Sequence, residues 1–248
     1  MASKKLIIKK HSDNLQNLLE SCRISKKDEE SVITHTAWGI TRGKFNIPDD
    51  KLDLFHKLYA NEALNNKKLG IIEQHKEVGP VLVDFDFKFD ENTTTRQYTD
   101  EHIKEITKLY IDEIENNFII NNKDEDLIAF VFERDAPYEH NGNIKDGIHI
   151  IFPFIVSEQH IQYIIRDNVI KKCTEKGILD DIPTKNQIND IIDRSVIYKN
   201  GWFMYGSSKP YCNSYKLTNI YNYNLDNIQI DEVNYRGIPD LPRFLVFV

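Results

Sequence analysis

The clearest pattern in the chain lies at VLVDFDFKF, residues 81–89. Asp84, Asp86 and Lys88 share one parity, and Val83, Phe85, Phe87 and Phe89 share the other. Period-two alternation predicts a strand with its aromatic face in the core and its acidic face elsewhere. Gly79-Pro80 punctuates just ahead of it. Upstream, Leu15, Leu18, Leu19 and Cys22 recur at three and four, which predicts a helix over 14–23 capped by Ser12 or Asp13. Residues 6–8 read as a short strand and SKKDEES as a charged turn. VITHTAW reads as a strand, and GITRGKFNIP as a tight turn or hairpin. Asp49 or Asp50 caps a helix through Leu52, Phe55, Leu58 and Tyr59, and residues 61–76 read as polar and partly helical.

Downstream of the acidic strand, ENTTTRQYTD is a loop. Thr99 or Asp100 caps a long helix with Ile103, Ile106, Leu109, Tyr110 and Ile114 on one side. LIAFVFERD (127–135) is a strand, PYEHNGNIKDG a loop, and GIHIIFPFIV a second strand, followed by a helix from Ser157. Ile188, Ile191 and Ile192 form an apolar patch, WFMYGS a short strand entering a glycine turn, and YKLTNIYNYNL a further strand. The tail from Asp231 reads as irregular until RFLVFV. After residue 80 the order is strand, helix, strand, strand, helix, strand, the split βαβ or RNA-recognition-like pattern. It predicts an α+β fold in which the strands at 82–89 and 148–154 are neighbours, with Asp84 and His149 on one face. Residues 1–78 then form an N-terminal α/β module beside a module of residues 79–248.

With 248 residues, 40% of them hydrophobic and 29% charged, the chain can bury a core without staples. Its net charge of -7 argues against a sequence-independent DNA coater, whose affinity comes from neutralising phosphates. It leaves room for a site that gathers carboxylates around metals and keeps a local basic track. Cys22, Cys173 and Cys212 contain no CxxC, so neither a disulfide framework nor a zinc site is expected, and a reducing compartment is the default. No apolar run reaches 18 residues, and the N-terminal apolar stretch is too short for a signal peptide, so neither a membrane span nor a leader is expected.

Four segments carry candidate chemistry. Asp84 and Asp86, at i and i+2 on a strand, point the same way at a spacing that suits a shared hard cation. A solvated strand face also produces alternating acids, but these sit among core-type residues, where like charges cost stability without a use. Asp90 shares their parity at the solvated strand end. His149, in KDGIHIIFP, is either a satisfied structural histidine or a hydrogen-bond donor to a triphosphate, and Gly147 before it leaves room for phosphate near the backbone. Asp193, in NDIIDRSVIY, supplies the third carboxylate that a two-metal site uses; Asp190 faces outward, and Arg194 is a surface residue or a phosphate contact. GSSKP (206–210) is either a plain turn or a phosphate-holding loop, with Ser207 and Lys209 as its polar groups; it lacks the P-loop spacing.

Together, VDFDF, GIH, IIDRSV and GSSKP resemble the archaeo-eukaryotic primase (prim-pol) superfamily. The resemblance is to the N-terminal primase domain of the primase-helicases of nucleocytoplasmic large DNA viruses and related mobile elements. KDGIHIIFP, GWFMYGSSKP and THTAWGITRGKFNIP resemble the viral branch in particular, and the likeness spans roughly residues 30 to 243. It implies two modules in one continuous domain with the active site in the cleft between them. It implies DNA-templated nucleotidyl transfer from NTPs or dNTPs with two Mg²⁺ or Mn²⁺ ions. Asp84, Asp86 and Asp193 would hold the metals; His149, Lys209, Ser207 and Arg134 would hold the triphosphate; Lys44 and Arg42 would contact template or phosphate. It also implies a superfamily 3 helicase in cis or in trans, and a workplace in the cytoplasmic virus factory or the nucleus of a host cell. Two departures stand out. Glycine occupies the small position before the histidine, where many relatives carry serine. No Walker A motif follows, as expected of a domain or a stand-alone form.

Other classes compete. A single-stranded nucleic-acid-binding module would need exposed strand aromatics, and Phe85 and Phe87 have core parity. A replication-initiator nuclease needs His-x-His for its metal, and GIHII offers one histidine. A catalytically inactive primase relative that only binds single strands is the main alternative, with its acids intact.

Overall fold

The computed structural model describes residues 14–25, 31–39, 41–64 and 69–233. The strand expected at 6–8, most of the charged turn and RFLVFV lie outside the described residues. The first sheet begins with helix α1 (Leu15–Ser21), whose apolar stripe of Leu15, Leu18 and Leu19 is buried. Asn14 caps it in place of Ser12 or Asp13: the Asn14 side chain accepts the Asn17 N–H at 2.8 Å. Strands β1 (His35–Ala37) and β2 (Gly43–Phe45) form the expected hairpin, and α2 (Asp49–Leu64) follows, with both aspartates in its first turn. Residues 71–73, read from the sequence as part of a polar, partly helical stretch, are strand β3 (Ile71–Glu73), paired antiparallel to β1. The sheet runs β2-β1-β3 and is completed by a strand from far along the chain, described below.

The second sheet is built on β4 (Val78–Phe89), whose burial alternates as its sequence does: Phe85, Phe87 and Phe89 are fully buried and the intervening residues half-buried. Then come α3 (Asp100–Asn117), the short α4 (Lys123–Asp126) and β5 (Ala129–Glu133). The segment expected as a loop contains β6 (Tyr138–His140), which turns through Asn141 and Gly142 into β7 (Asn143–Glu158). Those two residues have φ of 52° and 71°, the left-handed pair that a two-residue hairpin turn requires. Ser157 and Glu158 stay in the strand, and helix α5 is Gln159–Lys176. A single helical turn, α6 (Ile188–Ile191), and a 3₁₀ turn (Arg194–Ile197) precede β8 (Trp202–Phe203), which pairs with β3 and completes the first sheet. The last strand, β9 (Lys216–Tyr221), joins the outer edge of β5.

The second sheet therefore runs β4-β7-β5-β9, all antiparallel, with the expected β4–β7 pairing at its centre of interest. One face packs α3 and α5 against the phenylalanines of β4. On the other face, Leu82, Phe130, Phe132 and Ile151 meet Val196, Ile197 and Trp202, so the apolar half of that face is covered by the chain on its way to the first sheet. Among the described residues, no helix is long and apolar enough to cross a membrane.

Candidate active site

The β4–β7 register sets Asp84 directly opposite His149 and Asp86 opposite Gly147. A one-residue slip would turn all of them into the core, and the phenylalanine ladder of β4 forbids it. The third acid arrives by a different route. Residues 184–193 run along the free edge of β4: the Lys185 N–H donates to Lys88 O (2.7 Å), the Asn186 side-chain amide to Asp86 O (2.7 Å), and the Asp193 N–H to Asp84 O (2.9 Å). From α5, the buried Arg166 guanidinium donates to Ile192 O at 2.9 and 2.6 Å and to Asn189 O at 2.7 Å, which fixes this turn from behind.

Asp84, Asp86, Asp193, His149, Arg134 and Lys209 line one cleft of about 480 Å³, walled on its far side by Thr36, Trp38, Ile72 and Gln74 of the first sheet. Burial pushes the Asp84 carboxyl up to about 8, and the neighbouring Asp86 and Asp193 push it the same way, against Arg134 and Lys209. The cleft lining matches these three acids with four cations, Arg134, Lys145, Lys199 and Lys209, so it is burial that leaves the Asp84 carboxylate under-solvated. A proton or a hard cation completes it, and an all-oxygen donor set of carboxylates suits Mg²⁺ or Mn²⁺.

The carboxylates do not stand as a finished cage. Among the described residues, no three His, Cys, Asp or Glu side chains are grouped closely enough to hold a metal as they are. Asp86 is turned to Lys145, whose ammonium lies 3.0 and 2.7 Å from its two oxygens. Asp193 accepts the Ser195 N–H (2.8 Å) and hydroxyl (2.6 Å) as the cap of its own 3₁₀ turn. The tight convergence expected of three paired carboxylates is replaced by local partners on two of them.

His149 lies in an aromatic column. Its ring stacks on Tyr215 at 3.6 Å and meets Trp202 at 4.2 Å, and the Arg134 guanidinium sits 3.9 Å over the far ring of Tyr215. Burial holds the imidazole well below its ordinary range, with Arg134 and Lys209 adding to the effect, so it is neutral near pH 7. Its Nε2 is 3.4 Å from Asp84 Oδ1. Arg134 also donates to Asn213 O, while its buried Nε has no hydrogen-bond partner.

Ser207 departs from the sequence reading. Its hydroxyl meets Tyr59 Oη at 2.8 Å and accepts the Ile71 N–H at 2.9 Å, so it ties the glycine turn to the first sheet and does not line the cleft. Gly147 has a different reason from the one expected. A Cβ there would fall 2.4 Å from Phe85 O and 2.7 Å from Tyr215 Oη, so the missing side chain accommodates Tyr215 and the neighbouring strand. Arg42 and Lys44 line a second groove that shares Thr36 and Trp38 with the cleft. Lys145, Tyr215, Trp202 and Arg166 were not singled out in the sequence. Of these, only Lys145 carried a signal, because it shares parity with Gly147 and His149 in KDGIH.

Comparison with known proteins gives the family. The family described as C962R protein N-terminal AEP domain matches residues 34–221. The chain is 35% identical over 202 residues to a protein of Acanthamoeba polyphaga mimivirus named "Putative helicase L207/L206", covering 79% of this chain and 21% of that protein. It is 27% identical over 218 residues to "Putative helicase 184R" of Invertebrate iridescent virus 6, covering 80% of this chain and 22% of that protein. The chain spans about a fifth of the length of these relatives. With the match running from β1 to the end of β9 and enclosing every cleft residue named above, the chain belongs to the archaeo-eukaryotic primase domain family of the C962R type.

Proposed function

We propose that this chain is the catalytic domain of a DNA-templated nucleotidyltransferase, a primase-polymerase that makes or extends primers from NTPs or dNTPs. The observation that carries the reading is the cleft itself, where Asp84, Asp86 and Asp193 face Lys209, Arg134 and the neutral His149. Asp84 and Asp86 would hold two Mg²⁺ or Mn²⁺ ions together with Asp193. Bound there, the ions would acidify the primer hydroxyl and neutralise charge on the phosphoryl oxygens. Lys209 and Arg134 orient the triphosphate through charge-assisted bonds. His149, held flat by Tyr215 and Trp202, offers a neutral donor that adds no repulsion toward Arg134 and no new charge to the cleft. The first sheet, formed by residues up to 78 together with the returning β8, is the module that faces the remainder of residues 79–248 across the cleft. A helicase in cis or in trans is the partner proposed from the printed names of the relatives, with viral DNA replication in a host cell as the setting.

A second reading, a catalytically inactive module that binds single strands, is favoured by one observation: Asp86 and Asp193 are engaged by Lys145 and Ser195. Template-dependent synthesis with Mg²⁺ or Mn²⁺, with and without a primer, separates the two. The parent should incorporate nucleotides, and Asp84→Ala, Asp86→Ala and Asp193→Ala should each lose activity by orders of magnitude while keeping the parent's circular dichroism. Wild-type rates in the Asp84 and Asp86 variants would remove the polymerase reading. A parent that binds DNA but makes no polymer would favour the second reading.

A further inference from the structure

At the rim of the acidic cleft, Trp38 and Tyr211 are exposed aromatic side chains, and Trp38 shares a groove with two exposed cations. Trp38 is 49% exposed. It stands at the end of β1, its backbone N–H donates to Gly70 O at 3.0 Å, and its ring rests edge-on against Phe203 of β8 (6.2 Å, 78°). An indole held this way is rigid yet leaves one face to solvent. The same residue lines both the cleft and a neighbouring groove of about 570 Å³ whose other walls include Arg42, Lys44 and Pro210. Arg42 and Lys44 are exposed, and among the described residues neither is in an ion pair. Pro210 leads to Tyr211, 46% exposed and stacked flat on His140 at 4.4 Å and 8°. Lys209, immediately before Pro210, lines the cleft.

This combination has one natural ligand. Single-stranded nucleic acid presents flat bases that stack on any aromatic face, and a phosphate chain that seeks cations. In a chain of net charge -7, two exposed cations with no ion pair among the described residues, beside an exposed indole, form a local exception to the overall charge. An apolar peptide would gain nothing from them. The groove opens into the cleft through Thr36 and Trp38, so a strand lying in it leads to the acids.

We propose that Trp38 and Tyr211 are the base-stacking platforms of a single-strand track that feeds the template into the cleft, with Arg42 and Lys44 contacting its phosphates. The word template rests on the polymerase reading above; the stacking does not. The test is therefore done without metal or triphosphate, by titrating the protein with labelled oligo(dT) and with an abasic oligonucleotide of the same length. Trp38→Ala should weaken oligo(dT) binding by about tenfold and leave the abasic affinity unchanged. Tyr211→Ala should act in the same sense. Trp38→Phe should keep most of the affinity but lose the fluorescence quenching by oligo(dT), because the other tryptophan, Trp202, is buried. Arg42→Ala and Lys44→Ala should weaken both oligonucleotides and flatten the salt dependence by about one unit each. The track is wrong if Trp38→Ala binds oligo(dT) as the parent does, or if it loses both oligonucleotides equally. A parent that makes no polymer but shows the base-dependent loss would leave the track standing and remove the polymerase reading.

Discussion

Lys145 grips Asp86 by both oxygens, at 3.0 and 2.7 Å, from a position diagonal to it across the β4–β7 ladder. A cation that uses Asp86 must compete with this ammonium. Lys145→Ala should therefore tighten Mn²⁺ binding to the nucleotide-free protein, by about two- to fivefold for a half-exposed pair. Mn²⁺ titration followed by electron paramagnetic resonance reads it directly. Weaker Mn²⁺ binding in the variant would mean that Lys145 orients Asp86 for the metal and does not oppose it.

Asp84 makes the metal-free protein sensitive to alkali. Its folded carboxyl, raised to about 8 by burial and by Asp86 and Asp193, favours the proton more than the unfolded chain does. The associated stability is fully present below about pH 4 and is lost as pH rises through about 8. Asp84→Asn should melt above the parent by a margin that widens from about pH 5 to about pH 9, and Mn²⁺ should narrow it by stabilising the parent alone. A margin independent of pH would contradict the shift.

Triphosphate affinity should separate from metal affinity at the other end of the cleft. Lys209→Ala removes a charge-assisted bond and should weaken labelled triphosphate binding by about tenfold or more. His149→Ala, which removes a neutral donor and leaves Tyr215 and Trp202 without their central ring, should cost less. Mn²⁺ affinity measured without nucleotide should change little in either. Unchanged triphosphate affinity in both variants would make these residues structural.

Arg96 should matter for stability rather than chemistry. It joins Asp146 (2.9 Å) to Glu133 (2.7 Å) and donates to Arg134 O (2.6 Å), and both carboxylates are almost wholly buried. Arg96→Ala strands two buried charges and should cost about 3–5 kcal/mol in urea unfolding. Arg96→Lys should recover only part of this, because an ammonium cannot span the fork of acceptors.

The neighbourhood of Asp84 and His149 was legible because two physical signals agreed: the period-two alternation of β4, and an element order that makes β4 and β7 adjacent. The approach of Asp193 was not, since it depends on hydrogen bonds from Lys185, Asn186 and Arg166 that have no local pattern. The placement of Ser207 was not legible for the same kind of reason: its hydroxyl meets Tyr59, far away in sequence. Strand β3 was hidden because three residues cannot show a period, and it exists by pairing with β1 and β8. The β6–β7 turn was there to be read in Asn141-Gly142, the strongest short hairpin signal, inside what looked like a polar loop.

The return of β8 to the first sheet has a consequence for how the molecule comes into being. On a ribosome, β1, β2 and β3 emerge long before Trp202 and Phe203, so the edge of β3 waits, unpaired, while the whole β4–β7 platform is synthesised. A truncation before residue 202 leaves an open sheet edge liable to pair with another chain. It also removes the indole that braces His149. The last stitch of the older sheet and one wall of the cleft are laid down by the same two residues, so the cleft cannot be completed before that sheet is closed.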